Sequence, residues 1–331
     1  MKMTRRFLGA AAIAFVSATG MAQAAEVKIA LVVKSLGNGF FEAANKGAEE
    51  AAKEIGGVKI IYTGPTSTTA EGQIEVINSL IAQGVDAIAI SANDPDAVVP
   101  ALKKAAQRGI KVISWDSGVA PAGRILHLNP SSNELIGKMC LKLAADHLPD
   151  GKGDFAILSA TTTSTNQNIW IEEMKKQLKD FPGLNLVTTV YGDDLADKSY
   201  REANGLLTSK PNVKVIVAPT TVGVLAASQA VKDAGKIGQV YVTGLGLPSE
   251  MAGAIKSGAT KEFAIWNPID LGYSATQIAY HLVNGDATGK PGTSVPAGRM
   301  GSIKVGEGGE AAMAEPFVYD AKNIDQFSKI F

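Results

Sequence analysis

Short apolar runs rich in Val and Ile alternate with longer stretches of helical period from Val27 onward. Such alternation marks βαβ units and a parallel sheet covered by helices. The first half reads as strands over 27–33, 59–62, 87–90 and 111–115, separated by helices over 41–54, 71–83 and 97–107. The continuous apolar character of these strands fits burial on both faces. After a further strand at 124–128 the rhythm restarts with a helix over 132–146. Strands at 154–158, 185–190, 213–217, 240–243 and 261–265 then alternate with helices over 167–179, 198–208, 224–233 and 249–257. Both halves close helices with glycine turns ahead of a strand, at Gln83-Gly84-Val85, Arg108-Gly109-Ile110 and Ala234-Gly235-Lys236. The pattern predicts an α/β protein of two similar three-layer domains facing each other across a cleft. One more helix follows over 271–282. Residues 291–299 read as a return crossing, the acidic, glycine-rich 306–315 as a surface loop, and 317–319 as a last extended piece.

The first residues belong to a different pattern. Lys2, Arg5 and Arg6 precede an apolar run over 7–16, and Ala22-Gln23-Ala24 forms a small-x-small cleavage site, so residues 1–24 read as a secretory signal. Thr4-Arg5-Arg6 hints at twin-arginine export, but the spacer residue before Phe7 is missing, which favours ordinary secretion. The apolar run is too short for a membrane span, which needs roughly 20 residues. Cleavage removes three of 32 basic residues and none of 32 acidic ones, leaving a net charge of −3. That argues against nucleic acid as a partner. The length exceeds the limit of about 250 to 300 residues for one core, consistent with two domains. Cys140, the single cysteine, lies in an apolar stretch and reads as a buried thiol.

Catalytic patterns are missing. His127, His147 and His281 have no ligand spacing and read as surface or helix-end residues, so no metal site is expected. Gly289-Lys290 runs into Pro291 and breaks the phosphate-loop pattern, Gly244-Leu245-Gly246 lacks the third glycine of a dinucleotide loop, and no Gly-x-Ser-x-Gly occurs. No cofactor is expected. Strand ends carry hydrogen-bonding and aromatic residues instead. Lys34-Ser35-Leu36-Gly37-Asn38-Gly39-Phe40-Phe41 hands the first strand to the first helix. Its aromatic faces suit the C–H faces of a sugar ring, and its Asn and Lys suit hydroxyls. Phe40 and Phe41 are adjacent and cannot share one helix face, so they are not both expected in the core. Trp115-Asp116-Ser117, Asn166-Gln167 with Trp170, Pro219-Thr220-Thr221 and Trp266-Asn267-Pro268 occupy equivalent places. Asp116 could cap a helix or take two sugar hydroxyls; Asn166 could also be a cap, a role that Gln167 fills less well. Trp115 and Trp266 could each be core or cleft wall.

These segments, with Gln83-Gly84-Val85-Asp86-Ala87-Ile88, 91–97 and 109–117, resemble the exported substrate-binding proteins of ribose-type sugar importers, driven by an ATPase. Within that family the chain looks most similar to rhamnose-binding proteins and to relatives that bind autoinducer 2. The resemblance implies a type I periplasmic binding protein fold, a non-catalytic monomer in the periplasm, and three crossings near 128–129, 266–267 and 297–298. One domain would comprise 25–128 and 267–297, the other 129–266 and 298–331. Asn38, Phe40 and Phe41 match first-loop sugar contacts, and Asp116 the strand-end carboxylate. Lys34, Asp116, Gln167 and Pro219 also agree with the autoinducer-binding site, where Asn166 and Thr221 replace an Asp and an Ala. Those two changes favour a six-carbon deoxysugar such as L-rhamnose. Ser117 in place of an arginine, and the absence of a carboxylate over 244–247, disfavour ribose. The substrate site is therefore expected at Lys34, Asn38, Phe40, Phe41, Asp116, Asn166, Gln167, Trp170, Pro219, Thr221, Trp266 and Asn267. The expected partners are a monosaccharide, an inner-membrane permease with its ATPase and, as a further reader of the closed form, a chemoreceptor. A sugar-responsive repressor shares the fold but needs a basic DNA-binding head where this chain has an export signal.

Overall fold

A computed structural model describes residues 26–331. The signal read at 1–24 lies outside the described residues. The first lobe begins with β1 (Val27–Val32), α1 (Gly39–Ile55), β2 (Val58–Thr63), α2 (Ala70–Gln83), β3 (Ala87–Ile90), α3 (Val99–Gln107), β4 (Lys111–Trp115) and β5 (His127–Asn129). The strands lie parallel in the order β2-β1-β3-β4-β5. Ile29 to Val32 and Ala87 to Ile90 are fully buried, because helices cover both faces of the sheet.

The chain leaves this sheet after Asn129 and builds the second lobe. Its elements are α4 (Asn133–His147), β6 (Gly153–Ser159), α5 (Thr165–Gln177), β7 (Leu184–Tyr191), α6 (Ala196–Ser209), β8 (Val213–Ala218), α7 (Thr221–Asp233), β9 (Tyr241–Gly244), α8 (Pro248–Ser257) and β10 (Glu262–Ile265). Here the parallel order is β7-β6-β8-β9. After β10, the chain returns to the first lobe as α9 (Pro268–Asn284), which packs along α1. Two glycines permit this contact. A Cβ on Gly47 would lie 1.8 Å from the Ile269 carbonyl oxygen, and one on Gly272 1.9 Å from that of Ala44.

The last part departs from expectation. Residues 291–299 are not a crossing but enter a hairpin, β11 (Ser294–Pro296) with β12 (Ser302–Lys304). The stretch 306–315 is not merely a loop, since it contains β13 (Glu310–Ala312), which joins the edge of the first sheet parallel to β5. Only then does the chain cross, to β14 (Phe317–Asp320), antiparallel to β10, and α10 (Ile324–Phe327). The third crossing therefore falls after Ala312 rather than at 297–298, and 298–312 belong with the first lobe. Long-range ties hold β13 there: Arg124 pairs with Glu310, and Asn129 Nδ2 donates to Glu310 Oε2 at 2.7 Å.

Two histidines also differ from expectation. His127 is buried within β5, where its Nδ1 lies 2.9 Å from the Ser114 hydroxyl, and burial pushes its pKa down to about 4. His147 ends α4 but is buried too: its Nδ1 donates to the Leu143 carbonyl at 2.7 Å and its Nε2 accepts from the Lys261 amide at 3.0 Å. Burial likewise holds it at about 4. Cys140 is buried, with its thiol pushed up to about 12 by desolvation.

Candidate functional site

Strands of both sheets point their carboxyl ends at the cleft between the lobes, the usual ligand crevice of an open parallel sheet. A small cavity of about 40 Å³ lies there. Its first wall starts from the β1–α1 turn. Gly37 supplies the left-handed residue of that turn, φ 81°, and Asn38 then caps α1, its Oδ1 accepting from the Phe40 amide at 3.0 Å. The cap fixes where the first helical turn begins and so aims both phenylalanines. Both are buried, contrary to the expectation that they would not both be core, and both line the cavity. Adjacent residues manage this because the lobes meet around the helix end. Phe41 sets its edge against Trp115 at 5.8 Å, and Phe40 against Trp266 at 6.2 Å. Trp266 in turn meets Trp170 at 5.6 Å, so one chain of edge contacts crosses from lobe to lobe.

The same cavity is also lined by polar side chains. Asp116 follows β4 in a left-handed backbone, φ 57°, a conformation that non-glycine residues hold mainly where the surroundings enforce it. Its Oδ2 accepts from the Ser91 hydroxyl at 2.7 Å and its Oδ1 from Asn166 Nδ2 at 3.1 Å. Burial holds its carboxyl above the ordinary carboxylate range, while the Lys34 ammonium and the Ser91 bond pull the other way. Lys34 Nζ donates to Ser164 Oγ at 2.9 Å and to Asn166 Oδ1 at 3.1 Å. Gln167 Oε1 accepts from Ser159 Oγ and the Ala160 amide, at 2.8 and 2.7 Å, which leaves its amide donors for the cavity. Trp170 anchors its indole N–H on Asn133 Oδ1 at 2.8 Å and presents the rest of the ring to the cavity. Pro219 and Thr221, at the β8–α7 turn, complete the second wall.

Of the twelve residues expected here, eleven line this one cavity. Asn267 does not. Both ends of its side chain are used in capping α9, Oδ1 accepting from the Ile269 amide at 3.0 Å and Nδ2 donating to Asp270 at 2.8 Å. Trp115 is core, fully buried behind Phe41, whereas Trp266 forms cavity wall. Asp116 caps no helix. Asp194, Leu245 and Ile265 also line the cavity and were not foreseen, and so does Thr220, which was read only within the strand-end segment 219–221. Asp194 follows β7, so the rule that ligands meet strand ends would have found it.

The lobes are drawn together by bonds that cross the cleft. Besides Lys34 and Asn166, Thr163 Oγ1 donates to the Asn93 carbonyl at 2.9 Å, Thr165 Oγ1 to that of Gly118 at 2.9 Å, and Thr68 Oγ1 to that of Asp193 at 2.7 Å. Two parallel-sheet lobes closed over a buried polar and aromatic cavity define a protein that traps a small ligand. Residues 29–287 match the periplasmic binding protein domain, and the chain belongs to that family. It is a binding family, and the protein is a binding protein rather than an enzyme. A D-ribose/D-allose-binding protein of Pseudomonas aeruginosa is 30% identical over 66% of this chain and 70% of its own. A solute-binding protein of an ABC transporter from Clostridium phytofermentas, solved with bound L-rhamnose, is 39% identical over 92% of this chain and 99% of its own, with a TM-score of 0.88. LsrB of Clostridium saccharobutylicum in complex with AI-2 shares the fold at a TM-score of 0.86 and 24% identity, covering 91% of this chain and 99% of its own.

Proposed function

We propose that the protein captures a neutral monosaccharide, L-rhamnose, in the periplasm and delivers it to the permease of an inner-membrane ABC importer. The observation that carries this reading is that aromatic side chains, Phe40, Phe41, Trp170 and Trp266, and hydrogen-bonding ones, Lys34, Asp116, Asn166 and Gln167, line one cavity between the lobes. A pyranose has both kinds of surface, apolar C–H faces and a rim of hydroxyls. The methyl group of a 6-deoxy sugar adds an apolar end for the aromatics, worth about 1 to 3 kcal/mol against a hydroxylated competitor. The relative with bound L-rhamnose supports this choice of sugar. Closure follows from the ligand adding its own bridge to the polar contacts between the lobes, and the permease reads the closed form.

Calorimetric titration of the ligand-free protein with L-rhamnose, fucose, ribose and autoinducer 2 tests the reading. Saturable one-site binding of L-rhamnose, with ribose much weaker, is expected. Tight binding of autoinducer 2 with no response to rhamnose would replace the sugar in this assignment.

A further inference from the structure

The turn after β7 places two consecutive aspartates, Asp193 and Asp194, in left-handed backbone, φ 56° and 54°. Such a pair is held only where neighbours over-determine it, and such strain gathers at ligand sites. The neighbours are visible. Asp193 pairs with Lys198, while Asp194 accepts from the Thr220 hydroxyl through Oδ1. Among the described residues no group donates to Asp194 Oδ2, and Asp194 forms part of the cavity wall. The backbone of the same turn is held from the opposite lobe, where Thr68 Oγ1 donates to the Asp193 carbonyl at 2.7 Å.

We infer that Asp194 is a second ligand-binding carboxylate, whose Oδ2 accepts a sugar hydroxyl when Thr68 clamps the Asp193-Asp194 turn on closure. The inference rests on the sugar-binding reading above and deepens it. Occupancy and closure meet in two adjacent residues, since one takes the ligand and the other the opposite lobe. It also fixes the charge of the site. Asp116 and Asp194 outnumber Lys34 in the cavity wall, and the Asp194 charge already acts on Asp116 through space. That balance favours neutral, hydroxyl-rich ligands and repels sugar acids and sugar phosphates, whose anion would add to the excess.

Titration of the exported protein and two variants, against neutral monosaccharides, their monodeoxy analogues and a uronic acid, tests this. Asp194→Asn keeps the size of the side chain and tolerates left-handed backbone. Its affinity for the neutral sugar that binds best is expected to fall roughly ten- to hundredfold, with the melting temperature of the ligand-free form unchanged. One monodeoxy analogue should bind the unaltered protein more weakly than its parent sugar, yet bind Asp194→Asn no more weakly than the parent does. Thr68→Val, which alters no cavity-lining residue, should lose affinity several-fold. Equal affinities of Asp194→Asn and the unaltered protein would overturn the inference and leave the sugar-binding reading standing; full affinity in Thr68→Val would overturn the clamp. If the unaltered protein bound no neutral monosaccharide, both readings would fall.

Discussion

Asp116 concentrates the cost and the purpose of the site in one side chain. Its carboxylate is fully buried in strained backbone, and desolvation disfavours its charge. The folded state therefore takes up its proton at a higher pH than the ordinary 3.8, so ionised Asp116 opposes folding at neutral pH, and the penalty eases as pH falls. Ligand binding has the opposite sign, since a protonated carboxyl loses acceptor capacity for Asn166 and for sugar hydroxyls. Asp116→Asn is expected to weaken sugar binding about a hundredfold while leaving the melting temperature of the ligand-free protein equal or higher. Calorimetry and thermal unfolding read the two effects separately. Asn166→Asp sets a carboxylate where an amide now donates to Asp116 at 3.1 Å. Affinity for the bound sugar should drop at least about tenfold by like-charge repulsion, readable in the same titration. At this scale much was legible: a polar or aromatic residue just past an apolar strand points to the crevice. Asn267 misled because an Asn before Pro268 satisfies the sequence pattern of a helix cap equally well, and only the geometry of α9 decides between them.

Among the elements, α1 and α9 show how packing aims the site. Their near approach at Gly47 and Gly272 seats the first turn of α1, with Phe40 and Phe41, beside the hinge residue Trp266. Gly47→Ala should force the helices apart at the Ile269 carbonyl, destabilise the protein by about 1 to 3 kcal/mol and weaken binding, as read by thermal unfolding and titration. The alternation of β-rich runs with helical periods made the two parallel sheets readable, because both are built from local βαβ repeats. The tail was not readable for the same reason. Glu310-Ala311-Ala312 has no β-branched residue and only three positions, and what makes it a strand is a partner at 127–129 and an ion pair with Arg124. A pattern confined to neighbouring residues carries no trace of such a pairing.

Across the whole molecule, acid acts through the buried histidines as well as through the site. His127 and His147 each have a folded pKa of about 4 against an ordinary 6.5. Above 6.5 both are neutral in either state and their contribution to stability is complete. Between 6.5 and about 4 the unfolded chain takes up protons that the folded one refuses, and stability falls, by up to about 3 kcal/mol for each. For His147, protonation of Nε2 would break its bond from the Lys261 amide and loosen α4 from the start of β10. Thermal unfolding followed across that window should show the loss, and His147→Gln should flatten it in part. The three tryptophans of the chain, Trp115, Trp170 and Trp266, all belong to the edge-contact chain across the cleft. The molecule thus carries its own optical gauge: tryptophan emission should change as a sugar displaces water beside Trp170 and Trp266. Occupancy and closing rate could then be followed in a stopped-flow fluorimeter without any added dye.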